Sequence, residues 1–165
     1  MPTSKNIKDD VLGISKLKKW YMGIDVGVSG GVAFISENGD EQFACKMKVG
    51  EEELVQYVSH FQKSVVAARL EFVRSSPQMG VVSAFTFGQS NGFLRGMLVS
   101  LGIPFETVRP IVWMDYLDCR TGGDKNITKR KAQELYPKLK VTHAVADAIL
   151  IAEYCRRTEL ENVKD

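Results

Sequence analysis

An α/β fold is predicted from three features of this 165-residue sequence. Three short apolar runs near its start are separated by tight-turn sequences, which predicts an antiparallel meander. Beyond them, segments of helical period alternate with short β-branched runs. The last segment, over 142–157, is an apolar, alanine-rich stretch long enough for a closing helix. The expected order is βββ-α-β-α-β-α in one domain, with no internal repeat or low-complexity segment.

Tyr21–Asp25 is a short apolar run that ends on a carboxylate, and the turn Gly27-Val28-Ser29-Gly30-Gly31 follows it. Val32–Ile35 is the second run, closed by Asn38-Gly39-Asp40, a strong hairpin sequence. Gln42–Val49 alternates as a third strand. Glu51-Glu52-Glu53 opens a helix with acids at the positive end of its macrodipole. Leu54, Val58, Phe61 and Val65 recur on one face of that helix. Val65–Val73 contains the β-branched residues of a buried strand, and Pro77 and Gly80 interrupt the chain. A helix over 86–101 follows, in which Gly88, Gly92 and Gly96 each cost about 1 kcal/mol relative to Ala. Glycines four apart share a helical face and let a neighbour approach closely. Phe105–Val108 is the fifth strand, ended by Pro110; short helices near 110–117 and 128–136 precede the closing one. Residues 1–19 read as a polar, Lys-bearing arm ahead of a single domain over 20–165.

Composition narrows the function classes. No apolar run approaches the ~20 residues needed to span a bilayer, and the N-terminal stretch has no secretory core, so an intracellular protein without a membrane partner is expected. Cys45, Cys119 and Cys155 are odd in number and widely spaced, which favours incidental thiols over a disulfide framework or a zinc site. Net charge is only +2, but it is unevenly spread. Residues 120–140 carry seven basic side chains against Asp124 and Glu134, whereas residues 37–53 carry six acids against Lys46 and Lys48. Such asymmetry lets one face approach phosphates, although a solvated helical surface gives the same pattern.

Three carboxylates stand out. Asp25 ends the first strand beside a glycine turn, in the position where α/β sheets assemble sites, or where a plain turn former sits. Glu71 lies inside a segment that otherwise reads as a central strand. A carboxylate there must be paired, protonated or metal-bound; Arg69, on the same strand face, is the structural alternative to a metal. Asp147 lies in Thr142-His143-Ala144-Val145-Ala146-Asp147-Ala148, one helical turn after His143 and on the same face. Small alanines let that helix lie close to a sheet. His143 is either a cap or a ligand or base. Three converging oxygens suit a hard cation such as Mg²⁺ or Mn²⁺, and a pair of such ions suits phosphodiester hydrolysis.

With those residues in place, the chain resembles the RuvC-like Holliday-junction resolvases, in particular their short phage-type members, over residues 20–157. The segment Gly23-Ile24-Asp25-Val26-Gly27 is similar to the family's opening strand with its first metal-binding acid. Leu70-Glu71-Phe72-Val73, with Pro77, Gln78, Gly80 and Phe85-Thr86-Phe87-Gly88-Gln89-Ser90-Asn91-Gly92, resembles the second motif, and His143 through Tyr154 resembles the closing helix. The resemblance implies an RNase H-like fold, a five-stranded mixed sheet with three leading antiparallel strands and flanking helices. It implies Asp25, Glu71, Asp147 and His143 as metal ligands and catalytic groups, with two Mg²⁺ or Mn²⁺ ions per site. It also implies Lys125 near the scissile phosphate, with Lys129 competing for that role, and DNA contacts from Arg74, Lys125, Lys129, Arg130 and Lys131.

Two departures from the family pattern are evident. Arg74 stands where bacterial members carry an aromatic wedge three residues after the second acid, and His143 precedes Asp147 by a full turn. The resemblance further implies a homodimer that nicks branched DNA, four-way junctions with forks and flaps beside them, during DNA recombination and repair; the glycine-bearing helix 86–101 is the expected interface. The main alternative is an RNase H-like nuclease with another substrate, flap DNA or RNA. An actin-like ATPase needs a longer chain with a second phosphate loop, and a silent DNA-binding module would not need all three acids.

Overall fold

Side-chain alternation along the first strand sets up the architecture. The computed structural model describes residues 18–164. The expected N-terminal arm therefore lies outside the described residues except for Lys18 and Lys19. Strand β1 (Trp20–Asp25) is flanked by β2 (Gly31–Ser36) on one side and β4 (Val65–Glu71) on the other. The full sheet has the order β3-β2-β1-β4-β5, with β3 at Gln42–Lys46 and β5 at Phe105–Val108. The pairs β1–β2 and β2–β3 are antiparallel, whereas β1–β4 and β4–β5 are parallel. The sheet is thus mixed, as expected from the sequence.

Helices cover both faces. On one face Trp20, Met22, Ile24, Phe34, Leu70 and neighbours pack with α1 (Glu51–Ser59) and α2 (Val81–Ser100). Phe61 stacks on Phe34 at 4.0 Å between ring centroids and meets Trp20 edge-on at 5.2 Å, a geometry that adds to plain area burial. On the other face Ala33, Ile35 and Val108 pack with α3 (Pro110–Tyr116), α4 (Asn126–Leu135) and α5 (His143–Asn162). Trp113 and a run from Val145 to Ala152 supply half of the buried residues of that second core. No helix among the described residues is long and apolar enough to cross a membrane.

Several boundaries differ from the sequence expectation. The third strand stops at Lys46, because a single 3-10 turn over Met47–Val49 leads into α1. Helix α2 starts five residues before Thr86, at Val81. Its first turns show no helical-face pattern because Val81, Val82 and Phe85 are all exposed, at 86%, 80% and 66%. Gly88, Gly92 and Gly96 face open space and do not pack on the sheet. Helix α5 runs five residues past Arg157.

Two buried charges lock α5 in place. Arg69 turns to Glu159 of α5 at 2.5 Å and to Glu106 of β5 at 3.3 Å. Glu153, itself buried, accepts hydrogen bonds from Arg156, Arg157 and Tyr136, and Arg156 also donates to the Glu37 carbonyl in the β2–β3 turn. Both are paired and hydrogen-bonded, the condition under which a buried charge is tolerated.

The tightest contact in the fold is between α5 and β1. A Cβ on Gly23 would lie 2.2 Å from the Ala152 nitrogen and 2.3 Å from the Ala148 carbonyl oxygen. Neither backbone atom can yield. Gly23→Ala is therefore expected to destabilise the protein by at least the about 1–3 kcal/mol typical of overpacking, measured by urea unfolding. Wild-type stability in that variant would contradict the close approach.

Candidate active site

The period of two along β1 and β4 decides which residues meet α5. Trp20, Met22 and Ile24 enter the α1–α2 core, so Tyr21, Gly23 and Asp25 point toward α5. On β4, Ala68 and Leu70 enter the same core, so Ala67, Arg69 and Glu71 share the α5 side. The parallel register pairs Ile24 with Leu70, which places Asp25 and Glu71 side by side at the carboxyl ends of adjacent strands. A Cβ at Gly30 would sit 3.1 Å from the Asp25 Cγ and 2.2 Å from its carbonyl oxygen. Only a glycine lets the turn fold back over Asp25. Asp147, in the second turn of α5, faces this pair from the helix.

The three acids act on one another electrostatically. Burial, then the charges of Glu71 and Asp147 and a hydrogen bond with Glu71, push the Asp25 carboxyl up to about 8; Lys125 pulls the other way. Burial also lifts Glu71 above the usual carboxylate range, aided by Asp147 and opposed by a hydrogen bond from Trp113 and by Lys125. Asp147 Oδ1 is buried and has no hydrogen-bond partner among the described residues. Like charges gathered out of water in this way have too little compensation from the protein alone.

No family model matches the chain, and no curated protein matches it. Solved structures do. T. thermophilus RuvC in complex with a Holliday junction substrate superposes with a TM-score of 0.57 at 15% identity, covering 86% of this chain and 96% of that one. A second Thermus thermophilus RuvC structure gives 0.53 at 16% identity, covering 85% and 95%. The fold is RNase H-like, in its RuvC form. Its mixed five-stranded sheet and flanking helices are those expected from the sequence.

On this scaffold the residues singled out from sequence separate into groups. Asp25, Glu71, Asp147 and Lys125 come together. Lys125 is the residue preceding α4, its side chain exposed and its charge felt by Asp25 and Glu71. Lys131 and Asp147 both act on the buried thiol of Cys119, which burial pushes up to about 11, so Lys131 also lies near the cluster. Lys129 is half-buried and Arg130 exposed on the same helix. Arg74 is exposed and stacks over the Phe72 ring at 5.5 Å. His143, the first residue of α5, is exposed and has no hydrogen bond or ion pair among the described residues. Arg69 is not the partner of Glu71, since Glu159 and Glu106 hold it. The residue that does bond Glu71 is Trp113, whose Nε1 donates to Oε1 at 3.1 Å. Sequence gave no sign of this, because forty-two positions separate the two and no periodic pattern links them.

The donor set fits a hard divalent cation. All three acids offer oxygen, Asp147 Oδ1 lacks a partner, and burial has raised two of the carboxyls in a way that a cation would reverse. Among the described residues, however, no three His, Cys, Asp or Glu side chains are closed into a ready-made metal cage.

A pH dependence follows for the metal-free protein. Asp25 keeps its proton in the folded state up to about 8, against 3.8 ordinarily. Its contribution to stability is full below the lower value and is lost as pH rises through the higher one. Urea midpoints measured in chelator should fall between about pH 5 and about pH 8, and Asp25→Asn should flatten that decline. A rise over this range that Asp25→Asn abolished would contradict the assignment.

Proposed function

We propose that this protein is a divalent-metal-dependent endodeoxyribonuclease that resolves Holliday junctions and related branched DNA. The observation that carries the reading is the meeting of Asp25, Glu71 and Asp147, from two strands and a helix, with Lys125 at their edge. It is supported by the shared fold with T. thermophilus RuvC, one structure of which holds a Holliday junction substrate.

In this reading Asp25, Glu71 and Asp147 hold Mg²⁺ or Mn²⁺, two ions per site. A bound ion of this kind activates water and stabilises charge on the phosphoryl and leaving oxygens. The protein's own groups do the rest. Lys125 contacts the scissile phosphate and offsets the negative charge that gathers there as the bond breaks. Lys129, Arg130, Lys131 and Arg74 hold flanking phosphates, which positions the backbone without reading sequence. His143, exposed at the start of α5 one turn before Asp147, is the fourth candidate ligand. Phe72, with Arg74 over its ring, is the aromatic surface next to Glu71 and offers a base a stacking partner. Such a substrate implies work inside a cell, in recombination or repair, and in the host cell if the protein is phage-encoded.

A homodimer suits a substrate with two-fold character. The support for it lies on α2, where Val81, Phe85, Gly88, Gly92, Gly96 and Val99 form one exposed apolar and small-residue face. The glycines meet nothing among the described residues. On a monomer they would only weaken the helix; against a second copy they allow close helix contact.

Cleavage should be faster on four-way junctions than on flap, fork, linear duplex or RNA–DNA hybrid, and should stop in chelator. Asp25→Asn, Glu71→Gln and Asp147→Asn should each lower the rate by at least about 1000-fold, roughly 4 kcal/mol of barrier, with junction affinity in gel shifts largely kept. Preference for flaps or hybrids would reassign the substrate, and an active Glu71→Gln protein would count against the acidic site. Gly92→Arg has room to fold, and sedimentation should show it as a monomer where the wild type is a dimer. A dimeric Gly92→Arg protein would move the interface off α2.

A further inference from the structure

We infer that Trp113 is a positioning residue for Glu71, and that its indole N–H sets the carboxylate in the orientation a divalent ion requires. This rests on the carboxylate site proposed above. Trp113 is fully buried, and its Nε1 donates to Glu71 Oε1 at 3.1 Å. The bond is built into the fold at both ends. Val108, the last residue of β5, pairs with Glu71, and the Phe72 nitrogen donates to the Val108 carbonyl at 2.6 Å. Pro110 then opens α3 without losing a needed donor. One helical turn later the chain has returned Trp113 to the strand end it has just left.

The choice of group also matters. An indole is a donor only, does not titrate and does not bind hard cations. It can therefore tether one oxygen of Glu71 without cancelling the charge, as an Arg or Lys in that position would. Glutamate has three side-chain torsions, and an untethered one would lose that freedom on binding an ion. Partners that orient a ligand without touching the metal are commonly worth 10–100-fold in metal affinity or activity. The chain's other described indole provides a contrast: Trp20 Nε1 is buried with no hydrogen-bond partner among the described residues. A buried indole in this protein need not be bonded, so the link to Glu71 is not simply a requirement of burial.

That contrast makes a clean test available. Replacing both tryptophans biosynthetically with 3-benzothienylalanine keeps ring shape and puts sulfur where each N–H was. The bond to Glu71 is then the only described indole hydrogen bond removed. The measurements are Mn²⁺ affinity by electron paramagnetic resonance, cleavage rate against Mg²⁺ concentration, junction binding in chelator, and the urea midpoint. Mn²⁺ affinity should fall about 10–100-fold, with cleavage recovering at high Mg²⁺ and junction binding unchanged. Trp113→Phe should shift metal affinity in the same direction, Phe having the ring but no donor. Unaltered Mn²⁺ affinity and Mg²⁺ dependence in the analogue protein would overturn the role of Trp113. Glu71→Gln separates the two ideas: if it still cleaves, the acidic site itself is wrong. If it is inactive while the analogue protein is normal, only the tether is.

Discussion

Everything at the candidate site depends on how closely α5 lies on β1. Gly23 presents no side chain beneath Ala148 and Ala152, so helix and strand backbones nearly touch. A side chain at position 23 would push α5 off the sheet and carry Asp147 away from the strand ends. With small residues on both surfaces, a short aspartate side chain suffices. The same contact half-buries the carboxylates, and this burial raises Asp25 and Glu71.

The site is therefore under electrostatic tension by construction. Three acids converge where the dielectric is low, one basic group acts at the edge, and one carboxylate oxygen is left without a partner. A structure that served only stability would have placed a cation among them, as it did elsewhere. Arg69 lies on the same strand face as Glu71 but is taken up by Glu159 and Glu106. Glu153, on the same helix as Asp147, is saturated by Arg156, Arg157 and Tyr136. Arg69 and Glu153 are thus fully compensated, while the acids at the strand ends are not. That difference is where a divalent ion has most to contribute.

The two faces of the molecule divide the remaining work. The α3–α5 side carries the acids, Trp113 and the lysines of α4, and meets phosphate in the proposed function. The α2 side carries an apolar face that the described residues leave exposed. Separating the faces would leave the reactive groups clear of the proposed dimer surface.

Much of this was legible in the sequence because it depends on local periodicity. The order of elements, the strand at Phe105–Val108 and the closing helix follow from residue spacing, and the carboxylates drew notice as acids in apolar surroundings. Alternation even settles which face of a strand each one occupies. Long-range pairing is not encoded at that level. Nothing near Arg69 in sequence says that Glu159 will claim it, and nothing near Trp113 points to Glu71. The early start of α2 was hidden because its first turns face outward and carry no buried period to detect. Whether the acids meet, how loosely, and which neighbours share them depends on the parallel register of β1 with β4 and on the seating of α5. Those are decided by packing between segments distant in sequence, which local spacing does not specify.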